Sequence, residues 1–181
     1  MRDYDLGPSL GGGYRDALAY ALSLEPGGIA LEFGVASGTT LRMIAEKMPA
    51  YGFDSFEGLP EDWRAGFPAG MFACAVPDVP GATIIPGLFE DTLQEWYPPR
   101  RIGLLHIDCD LYSSTTTVLH YVGPFMWHGC IVVFDEWHGY PGCEDHEQKA
   151  WREYTEEFGT SWEVLGHGPE QWVIRITGTH R

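Results

Sequence analysis

Two short apolar runs in this chain each finish on a pair of acids. Residues 102–108 lead into Asp108-Cys109-Asp110, and residues 130–135 lead into Asp135-Glu136. If the two runs are neighbouring strands, their backbones lie about 4.8 Å apart and the carboxylates meet at one point. Converging carboxylates repel one another unless a proton or a cation intervenes. Oxygen donors select a hard cation, so Mg²⁺, Mn²⁺ or Ca²⁺ is expected rather than Zn²⁺. Strand-end acids also face solvent or cap helices. One pair would carry little; two pairs at successive strand ends are more specific.

A second constellation precedes these. Glu32-Phe33-Gly34-Val35-Ala36-Ser37-Gly38-Thr39-Thr40 follows an apolar run and opens a helical pattern. Gly34 and Gly38 permit a tight turn and a close approach of ligand to backbone, and the helix start adds a positive dipole end. A glycine turn needed only for strand–helix packing accounts for the same residues. The dinucleotide pattern GxGxxG fails, because Ala36 stands where its second glycine belongs, and no P-loop follows. Asp54 comes about 20 residues further on, where an acid commonly binds a ribose diol; a solvated or capping Asp is the plainer alternative.

Among the histidines, His106 lies within an apolar strand and is expected to be packed and hydrogen-bonded. His138 follows the second acidic pair closely enough to touch a substrate. Cys143-Glu144-Asp145-His146 has the spacing of half a zinc site, with no second half in view.

The elements that must position these residues alternate. Helical spacing covers residues 14–24, 39–47, 89–96, 114–122 and 144–158. Strand patterns cover 28–34, 51–54, 82–86, 102–108, 130–135, 162–166 and 171–177. Residues 56–80 are rich in Gly and Pro and form a long irregular excursion. The pattern predicts an α/β fold: a Rossmann-like, doubly wound, mostly parallel seven-stranded sheet with an antiparallel C-terminal edge strand and helices on both faces. Ligands bind such sheets beyond the carboxyl ends of the strands. The chain reads as one domain, with an N-terminal loop and short helix over 1–27 and the sheet domain over 28–181.

Composition bounds the partners. The 181 residues carry 11 Lys+Arg against 26 Asp+Glu, a formal charge of −15, and 44% are hydrophobic. That charge speaks against nucleic acid and anionic membrane surfaces as partners. No apolar run approaches the length of a membrane span, and no signal peptide is read at the N-terminus. Four scattered cysteines fit reduced thiols and a cytoplasmic setting. A homo-oligomer stays open.

At this point the residues resemble a known group. The segment from Leu31 to Gly38 is similar to the first motif of class I S-adenosylmethionine (SAM) methyltransferases. Phe53-Asp54-Ser55-Phe56-Glu57-Gly58-Leu59-Pro60 resembles the DSFEGLP signature of the macrocin O-methyltransferase (TylF-like) family. Ile107-Asp108-Cys109-Asp110-Leu111-Tyr112-Ser113-Ser114-Thr115 is similar to its DGDLYEST segment, and Asp135-Glu136-Trp137 with Pro141-Gly142-Cys143 to its DDY…PG segment.

The resemblance implies methyl transfer from SAM to a hydroxyl of a small molecule, often a natural-product sugar, assisted by Mg²⁺. It implies that Glu32, Gly34 and Ser37 line the methionine end of SAM. Asp54 would bind the ribose with Ser55 and Phe56 beside it, and Gly87 and Phe89 would lie near the adenine. Asp108, Asp135 and Glu136 would hold the metal, with Asp108 also beside the cofactor. Asp110 would be the general base, and His138 is carried as a second candidate catalytic residue. Two departures stand out. Glu136 replaces the family's usual Asp, and only about 28 residues precede the first strand. The acceptor pocket is therefore expected to be open, or completed by a partner chain or by residues 60–80. Two other readings are a non-catalytic SAM-binding protein and, more distantly, an NAD-type oxidoreductase.

Overall fold

A computed structural model describes residues 4–178. The chain runs α1 (Asp16–Ser23), β1 (Ile29–Phe33), α2 (Thr39–Ala45), β2 (Ala50–Asp54), β3 (Ala82–Pro86), α3 (Phe89–Thr92), β4 (Ile102–Ile107), α4 (Tyr112–Val122), β5 (Ile131–Phe134), α5 (Glu147–Phe158), β6 (Ser161–His167) and β7 (Trp172–Gly178). All seven strands join one sheet in the order β3-β2-β1-β4-β5-β7-β6. Pairing from β3 through β5 is parallel; β7 runs antiparallel to both β5 and β6. The antiparallel C-terminal strand is thus present, but it lies one place in from the edge. The turn after β6 is too short for a crossover, so β7 must return beside its predecessor, between β6 and β5.

The central parallel strands β1, β4 and β5 are buried along their whole length, and apolar but for Glu32 and His106, because both sheet faces are covered there. Side chains alternate between faces. Ile29, Leu31 and Phe33 of β1, with Leu105 and Ile107 of β4 and Val132 and Phe134 of β5, pack under α4 and α5 through Val118, Leu119, Ala150 and Trp151. Ala30, Leu104, Ile131 and Val133 pack on the opposite face, against Ala17, Leu18 and Ala21 of α1 and Leu41 and Ile44 of α2. Beyond β5, Trp137 is wholly buried and stacks on Trp172, with ring centroids 4.2 Å apart and planes 17° off parallel.

Four of the helices are shorter than their sequence patterns, whereas α4 begins two residues earlier than its pattern, at Tyr112. The last helix loses its first turn: Cys143–Asp145 forms a separate 3-10 turn before α5 begins at Glu147. Between β2 and β3, residues 55–81 contain no helix or strand. This excursion is held by local bonds such as Leu59 N–H to the Met71 carbonyl at 2.9 Å and Trp63 N–H to the Phe67 carbonyl at 3.0 Å.

Candidate active site

A cleft of about 390 Å³ opens at the carboxyl ends of β1, β2 and β4. Its first side is the turn after β1. Gly34 has φ +92, and a Cβ there would overlap the Asp108 carbonyl oxygen of the adjacent strand end, so only glycine fits. Ala36, at φ +42, continues the turn in a backbone region uncommon for a side-chain-bearing residue. Asp54 holds it there. One carboxylate oxygen of Asp54 accepts the N–H groups of Val35 and Ala36, both at 2.8 Å, and the other accepts Phe56 N–H at 2.7 Å. Asp54 therefore lines the cleft and also builds the turn.

Of the candidates named from the sequence, Gly34, Ser37, Asp54, Ser55, Gly87, Phe89, Asp108, Asp110 and Glu136 border the cleft. Four other candidates do not. Glu32 is fully buried, because even positions of β1 point into the α1/α2 face, and it bonds His106 instead of facing the cleft. Phe56 turns into the core beside Val79 and offers only its backbone to the site. Asp135 sits behind the lining, beside Asp108. His138 points away: its Nε2 lies 3.2 Å from the Gly168 carbonyl and its ring packs against His167. Its backbone N–H donates to the Glu170 carbonyl, which fixes that orientation.

The floor is the carboxylate group. Residues 106 and 108 lie on one face of the β4 line, and the register pairs His106 with Val133, which brings Asp108 beside Asp135. Asp108, Asp135 and Glu136 each offer an oxygen within 4.8 Å of the others. At that spacing each fully ionised pair repels by roughly 3 kcal/mol for an effective dielectric of about 20. Three such pairs would consume much of the stability of an ordinary domain, so protons or a cation must intervene. Burial and mutual repulsion both favour protons on this group. Burial, then the neighbouring Asp135, raises Asp108 well above the carboxylate range. Burial and Asp135 raise Asp110 to about 7, against a smaller lowering by Arg64. Burial, then Asp110, raises Glu136.

Sequence reading missed a further acid. Glu147, in the first turn of α5, is fully buried, and its Oε2 accepts Glu136 N–H at 3.2 Å. Burial and Asp135 raise it as well. Its position one place after His146, at the start of a charged helix, gave no sign that it turns inward. The Glu136 Oε2 and Glu147 Oε1 atoms are buried without hydrogen-bond partners. Three convergent carboxylates with an orphaned buried oxygen fit a divalent cation.

His106 lies fully buried beside the floor. Its Nδ1 lies 2.8 Å from Glu32 Oε1. Burial favours the neutral ring, and the Asp135 and Glu32 carboxylates outweigh it, so its pKa stands well above the ordinary value. Asp110 has φ +64, a strained position at the rim of this group.

The outer wall comes from the excursion. Leu59, Trp63, Arg64, Phe67 and Phe72 border the cleft. The Arg64 guanidinium sits 4.0 Å from the Trp63 ring centroid and 4.2 Å from that of Tyr140, and Nη1 pairs with Glu170 Oε2 at 3.2 Å. Ser113 Oγ donates to Glu61 at 2.6 Å and ties the excursion to α4. The aromatic and basic residues of 60–80 were the available signal for this wall, without a rule that places them.

Comparison with known proteins fits this geometry. The family model described as macrocin-O-methyltransferase (TylF) matches residues 79–161, the stretch that contains the floor. No curated protein sequence matches the chain. Among solved structures, the calicheamicin methyltransferase CalS11 superposes with a TM-score of 0.69 at 23% identity, over 88% of this chain and 78% of that one. The O-methyltransferase NovP gives 0.68 at 22% identity, over 91% and 78%. TomG from Streptomyces achromogenes, an O-methyltransferase of tomaymycin synthesis solved with SAM, gives 0.52 at 14% identity, over 93% and 82%. The fold is thus the one found in these O-methyltransferases, and residues 79–161 are similar to the macrocin-O-methyltransferase (TylF) family.

Proposed function

We propose that this protein transfers the methyl group of SAM to a hydroxyl of a small natural-product sugar or related polyol, with help from a divalent cation at Asp108, Asp135 and Glu136. The observation that carries the reading is the meeting of these three carboxylates within 4.8 Å at the floor of a cleft whose first side is the glycine turn. CalS11, also described as a TDP-rhamnose 3′-O-methyltransferase, acts on a sugar, which supports the acceptor class. Gly34 and Ser37 would face the methionine end of the donor. Asp54 and Ser55 would face its ribose, and Gly87 and Phe89 its base.

Methyl transfer breaks the sulfur–methyl bond, forms an oxygen–methyl bond and releases the hydroxyl proton. Asp110 would take that proton, a role supported by its place on the cleft and by burial and Asp135, which raise it to about 7. A carboxylate is a weak base toward a free alcohol. A cation on Asp108, Asp135 and Glu136 would supply the missing acidity of the acceptor hydroxyl. Trp63 and Phe67 border the outer side, where they would keep water from the reacting atoms. Glu147 holds the Glu136 backbone in place through its N–H.

The test is a calorimetric titration with S-adenosylhomocysteine, with Mg²⁺ and with EDTA, followed by methyl transfer to a panel of glycosides and catechols. The reading expects cofactor binding in both buffers and transfer only with the cation. Full transfer in EDTA would remove the metal role, and absence of cofactor binding by the folded chain would remove the whole reading.

A further inference from the structure

Glu32, His106, Asp108 and Asp135 share one face of the sheet. In β1, odd positions enter the core under α4 and α5 and even positions point the other way; the β4 and β5 registers keep the same division. Register pairs Glu32 with His106 directly. The row therefore runs Glu32, His106, then Asp108 and Asp135, with the last two at the cleft floor.

Within this row one atom is unaccounted for. His106 is fully buried, and its Nδ1 is engaged by Glu32 at 2.8 Å. Its Nε2 is buried with no hydrogen-bond partner. That nitrogen lies 3.9 Å from Asp135 Oδ1, too far for a hydrogen bond. The separation has another meaning. Two donors that each sit about 2.0–2.2 Å from one cation lie about 3 Å apart at right angles and up to about 4.2 Å apart when opposed. A distance of 3.9 Å falls inside that span. A His106 nitrogen is also within 4.8 Å of an Asp108 oxygen. An orphaned imidazole nitrogen thus looks onto Asp135, one of the three carboxylates of the proposed cation site, and its ring neighbours a second, Asp108.

We propose that His106 Nε2 is a fourth donor of this site, with Glu32 fixing the proton on Nδ1, and that the site accordingly favours a first-row transition cation such as Mn²⁺ over Mg²⁺. Imidazole suits transition cations better than Mg²⁺, and a carboxylate on the remote ring nitrogen orients the ring and strengthens it as a ligand. The inference rests on the cation reading of Asp108, Asp135 and Glu136 and adds to it a nitrogen ligand and a preference.

Mn²⁺ is the probe. Pulsed electron paramagnetic resonance of Mn²⁺ bound to the full chain is expected to show modulation from one directly coordinated ¹⁴N. His106→Gln should abolish that modulation and weaken Mn²⁺ binding at least 10-fold, with Mg²⁺ affinity changed less than about 3-fold. Glu32→Gln should keep the modulation and weaken Mn²⁺ binding roughly 10-fold or more. Bound Mn²⁺ without nitrogen coupling, or coupling that survives His106→Gln, overturns the proposal and leaves the carboxylate site standing. Failure of both Mn²⁺ and Mg²⁺ to bind a chain that still binds S-adenosylhomocysteine overturns the cation reading itself. The wild-type spectrum decides the matter even if the buried substitutions do not fold.

Discussion

The floor of the cleft is carried by strand ends, whereas its outer wall is a stretch with no regular structure. On the floor, ladder bonds and register put Asp108 and Asp135 side by side whatever their charges prefer. The wall is assembled from aromatic contacts around Arg64 and a few local turns. The floor holds charge in an unfavourable state that a ligand can relieve; the wall is in a favourable state that a ligand must pass. Damage to the floor should therefore cost rate, and damage to the wall should cost access.

The largest effect should come from the floor. Asp110→Asn is expected to lower turnover about 10²–10⁴-fold in a methyl-transfer assay, with S-adenosylhomocysteine affinity changed only a few-fold. Its melting temperature should not fall, because the substitution removes a buried charge from a crowded site. A stable, fully active variant would erase the distinction between the two regions.

Next comes the pH dependence of the cation-free protein. Asp110 is raised from the carboxylate range to about 7 by burial and Asp135, and Asp108, Glu136 and Glu147 are raised by burial and their acidic neighbours. Their folded pKa values exceed the unfolded ones, so the folded state binds more protons in between and stability falls as pH rises. In EDTA the melting temperature should drop by about 5 °C or more between pH 5 and pH 7.5, roughly 2 kcal/mol. A saturating divalent cation should remove most of that drop. A flat profile in EDTA would mean that the floor carries no such stress.

Arg64→Ala tests the wall. It deletes the contacts with Trp63 and Tyr140 and the pair with Glu170, a loss of roughly 1–2 kcal/mol. Acceptor KM should rise about 10-fold with kcat within about 3-fold, since a positioning contact is lost and no reacting group is touched. Proteolysis within residues 55–81 should quicken. A fall in kcat alone would move Arg64 from the wall to the chemistry. The smallest effect belongs to His138→Gln. Its ring faces Gly168 and His167, so turnover should change less than about 2-fold in initial-rate assays.

The same contrast explains what the sequence made legible. Near-continuous apolar runs with acids behind them announce parallel strands, and strand spacing then brings Asp108 and Asp135 together without further information. Glu32 and Asp54 were harder. Each lies where a cofactor contact is expected, but one is claimed by His106 across the sheet and the other by three backbone amides. Those claims depend on register and on turn geometry, which residue type does not encode. Arg64 and Glu147 were invisible for a related reason. Their roles arise from contacts more than 70 residues away in one case and from the replacement of a helical turn by a 3-10 turn in the other. His138 stands near the acidic pair in sequence, and a single backbone bond to Glu170 turns it outward.

The stack of Trp137 on Trp172 has a practical consequence. Two indoles stacked 4.2 Å apart with nearly parallel planes couple their near-ultraviolet transitions, giving circular dichroism whose sign and size follow their mutual angle. Trp137 is covalently next to Glu136, so small rotations of that acid are passed to one member of the pair. The protein carries its own unlabelled optical gauge of what occupies the carboxylate floor.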